Sequence, residues 1–270
     1  MPVSIQDRLI DIDKIITAKF GAGKVPGFAI RFIKRFIHQD WMNEILKRGL
    51  DGADFCDDLL QYMDIKIEVE GLENVPVDGT RYCFASNHPL GAVDGIALCS
   101  LITRQFGPMK MLVNDFLLYI KPIAPLCVPI NKVGSQARNL PQMIDEAYRS
   151  DNHLLMFPSG SASRKVNGKI QDLPWTKTFI TKSVETDRAV VPVHFVGRNP
   201  ARFYRADWFF RKFLKIKFNI PMLFLPDAFY HAQHKTFKII FGAPIPAATF
   251  DKSRKPAEWA AWVREKVYQL

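Results

Sequence analysis

The sequence predicts an α/β fold in which a mixed, mainly parallel sheet is flanked by helices and preceded by an N-terminal helical layer. Apolar residues recur at helical spacing up to about Met63, and after Asp64 short apolar runs alternate with longer helical stretches. A chain of 270 residues that is 48% hydrophobic and 24% charged can bury a core of its own. We therefore expect a helical segment, 1–63, and an α/β domain, 64–270, joined in one structural unit.

Seven short apolar runs, bounded by turn residues, are predicted to form the strands. They lie at 65–69, 82–86, 110–113, 126–130, 154–157, 189–195 and 237–241. Helical periodicity between and after these runs predicts helices at 95–104, 135–150, 176–185 and 256–268. In sheets of this class, chemistry collects in the loops beyond the carboxyl ends of the parallel strands, so functional motifs are expected there.

Neither a disulfide framework nor a metal site is predicted. The four cysteines lie far apart, without a CxxC pair or a histidine at zinc-finger spacing, which is typical of reduced thiols in a cytosolic protein. The N-terminus lacks the apolar core of a secretory signal. The longest stretches without Asp, Glu, Lys or Arg, 82–93 and 239–250, have 12 residues each, whereas a spanning helix needs about 20. No transmembrane helix is therefore expected.

The net charge of +10 and a pI near 9.4 predict attraction to a polyanion. Nucleic acid, an anionic membrane, and an acidic carrier or phosphorylated substrate all satisfy this condition. The sequence contains no zinc knuckle, no aromatic motif of the RNP type and no helix-turn-helix signal. No nucleic-acid partner is therefore expected.

The segment FAIRFIKRFIHQDWMNEIL, 28–46, predicts a basic amphipathic helix. Its apolar stripe comprises Phe28, Ile33, Phe36, Ile37, Trp41 and Ile45, and its other side carries Arg31, Lys34, Arg35 and His38. Such a helix either lies on an anionic membrane with its aromatic side down or packs on its own core with a solvated charged face. The first reading makes 1–63 a membrane-contact segment. Basic and aromatic residues at 202–212 form a second contact or a packed helix.

A histidine and an aspartate share a turn between a predicted strand and a predicted helix, in the segment NHPLGAVDG, 87–95. His88 and Asp94 are six residues apart, about 240° on a regular helix, so they can meet only across a turn. Pro89 and Gly91 favour that turn, which places Asp94 near the helix start. A carboxylate there fixes the imidazole tautomer and stabilises the imidazolium. The segment predicts a general-base dyad; the alternative is a helix cap beside an unrelated turn histidine.

The segment FPSGSASRK, 157–165, continues a predicted strand into a Gly/Ser loop that carries Arg164 and Lys165. Backbone N–H groups of such a loop, together with two cations, can cradle an anion. The segment is neither a Walker loop nor a nucleophile elbow. It predicts an anion-binding loop or, as the alternative, a plain surface turn.

NHPLGAVDG resembles the signature block of the lysophosphatidic acid and glycerol-3-phosphate acyltransferase superfamily. The hallmark of that superfamily is a His followed by four residues and an Asp, whereas five residues intervene here. The form HPLG-x-x-DG is similar to that of a hemolysin-type branch, and this resemblance extends along almost the whole chain. That branch includes O-acyltransferases that complete ornithine- and glycine-type amino-acid lipids. The resemblance implies the glycerol-3-phosphate acyltransferase fold.

The resemblance continues downstream of this block. LCVPINKVG, 126–134, stands where the family has a strand ending in the Arg that helps to hold the acceptor phosphate, and a lysine takes that place here. FPSGSASRK stands where the family has Phe-Pro-Glu-Gly-Thr-Arg-Ser, with Ser159 in place of the Glu. AVVPVHFVG, 189–197, is similar to the strand that lines the family's acyl pocket. The substrate-binding residues implied are Asn87, Asn131, Lys132, Gly160, Ser161, Arg164 and Lys165.

The resemblance implies an O-acyltransferase that moves a fatty acyl chain from a thioester of acyl carrier protein or coenzyme A to the hydroxyl of a lyso-lipid. His88 is then the general base and Asp94 its orienting carboxylate, with no bound cofactor and no metal. The expected acceptor is the hydroxyacyl chain of a glycine- or ornithine-type lipid, and lysophosphatidic acid is the alternative. A cytoplasmic protein, peripheral on the inner face of the membrane, is expected.

Two alternatives belong to other classes. A nonenzymatic basic membrane-binding protein would explain the charge and the interleaved aromatic residues, but it would leave the turn at His88 and Asp94 without a purpose. A serine hydrolase that pairs Ser159 or Ser161 with His88 conflicts with the missing elbow motif.

Overall fold

The computed structural model describes residues 5–21, 23–114, 120–131, 140–166, 168–212 and 225–270. The first part of the chain is helical, as predicted. Its helices are α1 Ile5–Arg8, α2 Ile12–Phe20, α3 Gly27–Phe36, α4 Gln39–Leu46 and α5 Gly52–Tyr62. Among the helices of the described residues, none combines the length and the apolar character needed to span a bilayer.

The prediction of one continuous helix at 28–46 is wrong. The helix is interrupted between α3 and α4, where His38 adopts a left-handed conformation with a φ of 54°. Contacts far along the chain hold this break. The His38 ring stacks on Tyr230 with centroids 3.8 Å apart, and its Nε2 lies 3.1 Å from Asp227 Oδ1. Tertiary packing has overridden a pattern that is helical throughout.

Seven strands form one sheet with the spatial order β1-β9-β8-β2-β5-β3-β4. The strands of the described residues are β1 Lys66–Glu70, β2 Tyr82–Ser86, β3 Met109–Asn114, β4 Cys127–Asn131, β5 His153–Met156, β6 Arg164–Val166, β7 Lys169–Gln171, β8 Ala189–Val196 and β9 Thr236–Phe241. Neighbours in the sheet are parallel except β8 and β9. The predicted mixed, mainly parallel sheet is confirmed.

The antiparallel hairpin of β6 and β7 stands apart from the sheet and is absent from the predicted elements. Its strands read RKV and KIQ, so charged residues replace the apolar run that predicts a buried strand. The hairpin lies directly after the Gly/Ser loop and packs against a helix that follows β8.

Helices cover both faces of the sheet, as a mainly parallel sheet requires. They are α6 Val93–Phe106, α7 Leu140–Arg149, α8 Thr178–Glu185, α9 Ala201–Lys212, α10 Leu225–Tyr230 and α11 Pro256–Gln269. The four predicted helices are present, although 135–139 lies outside the described residues. Helices α5 and α6 pack in one core cluster, and α7, α8 and α11 in the other.

Strand β2 is buried along its whole length and divides its side chains between the two clusters. Tyr82 and Phe84 point into the cluster of α5 and α6, while Cys83 and Ala85 point into the other. Its end is therefore held from both faces, and the loop that follows it starts from a rigid point.

Arg188, one residue before β8, is a fully buried cation. Its guanidinium donates hydrogen bonds to the carbonyl oxygens of Asn152, Tyr148 and Ser150, each at 2.8 Å, and of Tyr82 at 3.2 Å. Burial lowers the pKa of Arg188. The four carbonyls compensate for the lost water and fix the starts of β2 and β8 to the turn before β5.

Asp227 on α10, which is 9% exposed, links the N-terminal helices to the last third of the chain. One carboxylate oxygen lies 3.1 Å from His38 Nε2 and 3.4 Å from His231 Nδ1. The other oxygen lies 2.8 Å from the guanidinium of Arg202 on α9. This cluster, the Asp227 junction, joins the break between α3 and α4 to two helices from the last third of the chain.

Candidate active site

The loop between β2 and α6, residues 87–92, is held by two asparagine side chains. Asn87 accepts a hydrogen bond from the Phe195 N–H at 2.7 Å and donates to the Phe195 carbonyl at 3.0 Å, which extends the β2–β8 ladder past the strand end. Asn199 donates to the carbonyls of Pro89 and Leu90 at 3.1 and 3.2 Å. Both polar atoms of Asn87 thus hold the loop, and its contact with substrate stays a prediction.

The contact predicted between His88 and Asp94 is present. His88 Nδ1 lies 3.0 Å from Asp94 Oδ2, and the Asp94 side chain is fully buried. The same oxygen accepts hydrogen bonds from the Leu90 and Gly91 N–H groups at 2.9 and 3.2 Å, while the other oxygen accepts from the Gly95 N–H at 3.0 Å. Asp94 is the second residue of α6, so the positive end of the helix adds to this stabilisation.

The His88 ring is held on one face, and its backbone is held by hydrogen bonds. It stacks on Phe157 with centroids 3.9 Å apart, and its side chain keeps 16% of its surface exposed. Its backbone N–H donates to Asp172, and its carbonyl accepts from the Ser163 N–H at 2.7 Å. Within the described residues nothing hydrogen-bonds to Nε2. This nitrogen is therefore available to a group that enters from outside.

Gly91 allows the five intervening residues to turn. Its φ is 80°, a conformation that favours glycine, and a Cβ there would lie 2.8 Å from Leu225 and 3.0 Å from Ala162. The turn brings the N–H groups of Leu90 and Gly91 onto Asp94, so the longer spacing still delivers the carboxylate to His88. Glycine is required here for both conformation and space.

Electrostatics within the pair favour its charged form. Burial lowers the pKa of His88, but the charge and hydrogen bond of Asp94, with a contribution from Asp172, outweigh burial and raise the pKa above its ordinary value. Burial raises the pKa of Asp94, but His88 and the N–H groups of Leu90 and Gly91 outweigh it and lower that pKa. The result is an imidazole that is more basic, and a carboxyl group that is more acidic, than usual.

Comparison with known proteins decides the family. The sequence pattern of a family described as acyltransferase matches residues 15–270. The lyso-glycine lipid O-acyltransferase of Bacteroides thetaiotaomicron is 48% identical over 269 residues, covering 97% of both chains. That of Phocaeicola vulgatus is 47% identical, covering 97% of this chain and 95% of its own. The chain belongs to the acyltransferase family.

The predicted enzyme class is therefore confirmed for this acyltransferase, and the alternative of a nonenzymatic protein is not retained. Among solved structures, the 1-acyl-sn-glycerophosphate acyltransferase of Thermotoga maritima matches with a TM-score of 0.48 and 17% identity. The match covers 80% of this chain and 77% of that one.

The loop 157–163 of the acyltransferase lies against the dyad. Phe157 stacks on His88, and the Ser163 N–H binds the His88 carbonyl. Gly160 has a φ of 65°, and the buried Ser161 Oγ has no hydrogen-bond partner among the described residues. Gly160 and Ser161 thus lie in the loop whose two ends contact His88, and their binding of substrate stays a prediction.

The two cations of the predicted anion loop differ in setting. Arg164 lies mostly buried and pairs with Asp207 on α9 at 3.1 Å. Lys165 is exposed on β6. Arg164 therefore fixes the hairpin to α9, and Lys165 is the cation of this pair that a ligand reaches from solvent.

The predicted site at Asn131 and Lys132 does not lie next to the dyad as far as the described residues show. Asn131 ends β4, at the far edge of the sheet, and β5 and β3 lie between β4 and β2. At about 4.8 Å per strand, Asn131 is roughly 14 Å from the line of β2. Lys132 lies outside the described residues.

Two polar residues next to the dyad were missing from the predicted site. Asn199 and Asp172 both hydrogen-bond the loop 87–92, yet neither lies in a recognisable motif. Asn199 follows a strand that neighbours β2, which is a signal that could have found it. Asp172 follows the unpredicted hairpin, and no sequence signal points to it.

Proposed function

We propose that this acyltransferase transfers a fatty acyl chain from an acyl thioester to the free hydroxyl of a lyso-glycine lipid, completing an amino-acid lipid. The His88–Asp94 pair with its open Nε2 is the observation that carries the chemistry. The acceptor is supported by two curated lyso-glycine lipid O-acyltransferases at 48% and 47% identity. The replacement of the family's Glu by Ser159 supports an acceptor other than a glycerol phosphate.

The mechanism uses His88 twice. Its Nε2 takes the proton of the acceptor hydroxyl while the oxygen attacks the thioester carbonyl, and the imidazolium then returns that proton to the departing thiolate. Asp94 holds the ring through Nδ1 and stabilises the imidazolium. Ser161 Oγ has no hydrogen-bond partner among the described residues, and it is the proposed donor to the developing oxyanion. No covalent acyl-enzyme is required.

The acyl donor in this proposal is a thioester of acyl carrier protein or coenzyme A. Both donors are acidic, and the protein carries a net charge of +10, so long-range attraction favours their encounter. Lys165 is the exposed cation of the loop beside the dyad and is suited to the acceptor carboxylate or a donor phosphate.

Purified protein should be incubated with labelled acyl thioester and, in separate reactions, a lyso-glycine lipid, a lyso-ornithine lipid and lysophosphatidic acid. We expect labelled product with the glycine lipid, and none with His88→Ala. Transfer to the ornithine lipid or to lysophosphatidic acid alone would refute the proposed acceptor. Equal transfer by wild type and His88→Ala would refute the proposed base.

The rate of acyl transfer should depend on pH through His88. Only the neutral imidazole accepts a proton, and the raised pKa of His88 keeps the ring protonated to higher pH than an ordinary imidazole. We therefore expect kcat/KM to be low in acid and to rise with pH, with its midpoint above the ordinary imidazole value. A pH profile of kcat/KM measures this, and a midpoint at or below that value contradicts it.

The N-terminal segment 1–63 is proposed to rest on the anionic inner face of the cytoplasmic membrane. Helix α3 is amphipathic, yet none of its residues is buried, and Phe28 and Phe32 are 69% and 67% exposed one helical turn apart. Ile15 on the adjoining α2 is also exposed. Aromatic side chains on a basic helix match the surface of an anionic bilayer.

The double variant Phe28→Ser/Phe32→Ser should bind anionic vesicles more weakly by about tenfold or more for each ring, because burying a phenylalanine contributes about 1.5 to 3 kcal/mol. Sedimentation with phosphatidylglycerol vesicles measures binding. Val77→Ser is the matched control, since Val77 is 75% exposed and lies outside the segment. Equal loss in the control, or no loss in the double variant, would contradict the proposed contact.

A further inference from the structure

Asp172, directly after β7, is a buried carboxylate that accepts hydrogen bonds from three neutral donors. It is 2% exposed. One oxygen accepts from the His88 backbone N–H at 3.2 Å and from the Ser163 hydroxyl, and the other accepts from Trp175 Nε1 at 2.9 Å. No Lys or Arg of the described residues forms an ion pair with it. A buried carboxylate without an ion pair is costly, and here three neutral donors compensate it.

The backbone around Asp172 is fixed as firmly as its side chain. Its N–H donates to Tyr268 Oη at 2.8 Å, and its carbonyl accepts from Arg264 at 2.9 Å, both from α11. Helix α11 packs on β8 in the core cluster that also contains α7 and α8. The carboxylate therefore reaches the loop 87–92 from a rigid base.

Three hydrogen bonds close a ring between two loops. The His88 N–H binds Asp172, the Ser163 hydroxyl binds Asp172, and the Ser163 N–H binds the His88 carbonyl. Asp94 holds His88 by the imidazole, whereas Asp172 holds it by the backbone. His88 is thus clamped at two points by two carboxylates from different elements.

We propose that Asp172 is a positioning residue of the active site, which fixes the backbone of His88 and stabilises the imidazolium formed during acyl transfer. Only the role in acyl transfer rests on the proposed function. The effect of Asp172 on His88 itself can be tested without catalysis.

Two carboxylates act on the imidazole. Asp94 contacts the ring from α6, whereas Asp172 binds the His88 backbone from the segment after β7, and the charges of both raise the pKa of His88. Burial lowers the pKa of His194 on β8, and burial raises the pKa of Tyr268 on α11 to about 12, so both are uncharged near neutral pH. Arg264 binds the Asp172 carbonyl.

The test removes the charge while keeping the packing. In Asp172→Asn alone, the new amide NH₂ would face the Trp175 Nε1–H, and two donors would then oppose each other. The substitution is therefore combined with Trp175→Phe, which removes the second donor. Trp175→Phe alone is the matched control. Tyr268→Phe is the second control, because it loosens the same backbone without removing the charge.

Relative to Trp175→Phe, we expect Asp172→Asn/Trp175→Phe to lower kcat about tenfold to a hundredfold with similar KM. The acid limb of its pH profile should move to lower pH, while both controls keep the limb in place. NMR titration of the His88 ring, identified by its loss in His88→Gln, should show the same downward movement of the His88 pKa. Thermal unfolding of each variant reports on folding.

Two outcomes would overturn the inference. An unmoved His88 titration would make Asp172 a structural residue only, whatever happens to kcat or to the unfolding temperature. A moved titration with unchanged kcat would remove the role in transfer. If His88→Ala transfers as well as wild type, the proposed function fails, and the NMR titration still decides whether Asp172 acts on His88.

Discussion

Replacing Asp94 with asparagine is expected to lower kcat for acyl transfer by about 10²- to 10⁴-fold, the range contributed by a general base. Asp94 accepts the Nδ1 proton of His88, which leaves Nε2 as the basic nitrogen. An asparagine NH₂ can instead donate to Nδ1, and the ring proton would then occupy Nε2, the atom that must accept the hydroxyl proton. The variant would also lose the charge that stabilises the imidazolium. Steady-state kinetics with saturating acceptor measures this.

A matched control is available in Asp54→Asn. Asp54 also lies in the first turn of a helix, α5, but it pairs with Arg104 at the surface. We expect this control to retain wild-type activity. In the double variant His88→Ala/Asp94→Asn, activity should fall no further than in His88→Ala, because the two side chains act as one unit. Additive losses would show that Asp94 acts independently of His88.

Replacing Arg188 with methionine is expected to produce a large loss of stability, about 3 to 5 kcal/mol in the free energy of unfolding. Methionine fills much of the same volume but removes the Arg188 donors from four carbonyl oxygens, two of them in fully buried and two in partly buried contacts. Each such group costs about 1 to 3 kcal/mol when it stays unpaired, and partial entry of water reduces the sum. Chemical denaturation with two probes measures the change.

Arg81→Met is the control for this substitution. Arg81 also donates to two carbonyls, those of Arg149 and Thr186, but at 3.3 to 3.4 Å and with a partly exposed side chain. We expect little change in stability, because water can replace both contacts. A similar loss in the two variants would mean that the removal of a cation, and not its burial, sets the effect.

The parts of the site that the sequence predicts are those with local causes. His88 and Asp94 are joined by a turn between an apolar strand and a helix, so strand, turn and helix start all lie within one short segment. The insertion of one residue relative to the family pattern is also a local matter, since Gly91 supplies the extra turn. The seven strands of the large sheet follow for the same reason, because each is an apolar run of its own.

The parts that the sequence did not predict depend on contacts between distant segments. Asp172 is 84 residues from His88, in a segment whose hairpin lacks an apolar pattern. The break at His38 is held by Asp227, 189 residues away. Asn131 ends its strand as other site residues do, but the order of strands places it at the far edge. Such arrangements follow from packing, which no short window of sequence encodes.

The order in which the chain is synthesised gives the Asp227 junction a further consequence. Among the described strands β1 pairs only with β9, and His38 binds Asp227, so these two partners are among the last residues to leave the ribosome. Domains generally fold as units, when the segments that contact one another have been synthesised. Here the basic aromatic helices emerge long before β9 and α10 exist. The contact of His38 with Asp227 and the pairing of β1 with β9 can therefore form only near the end of translation.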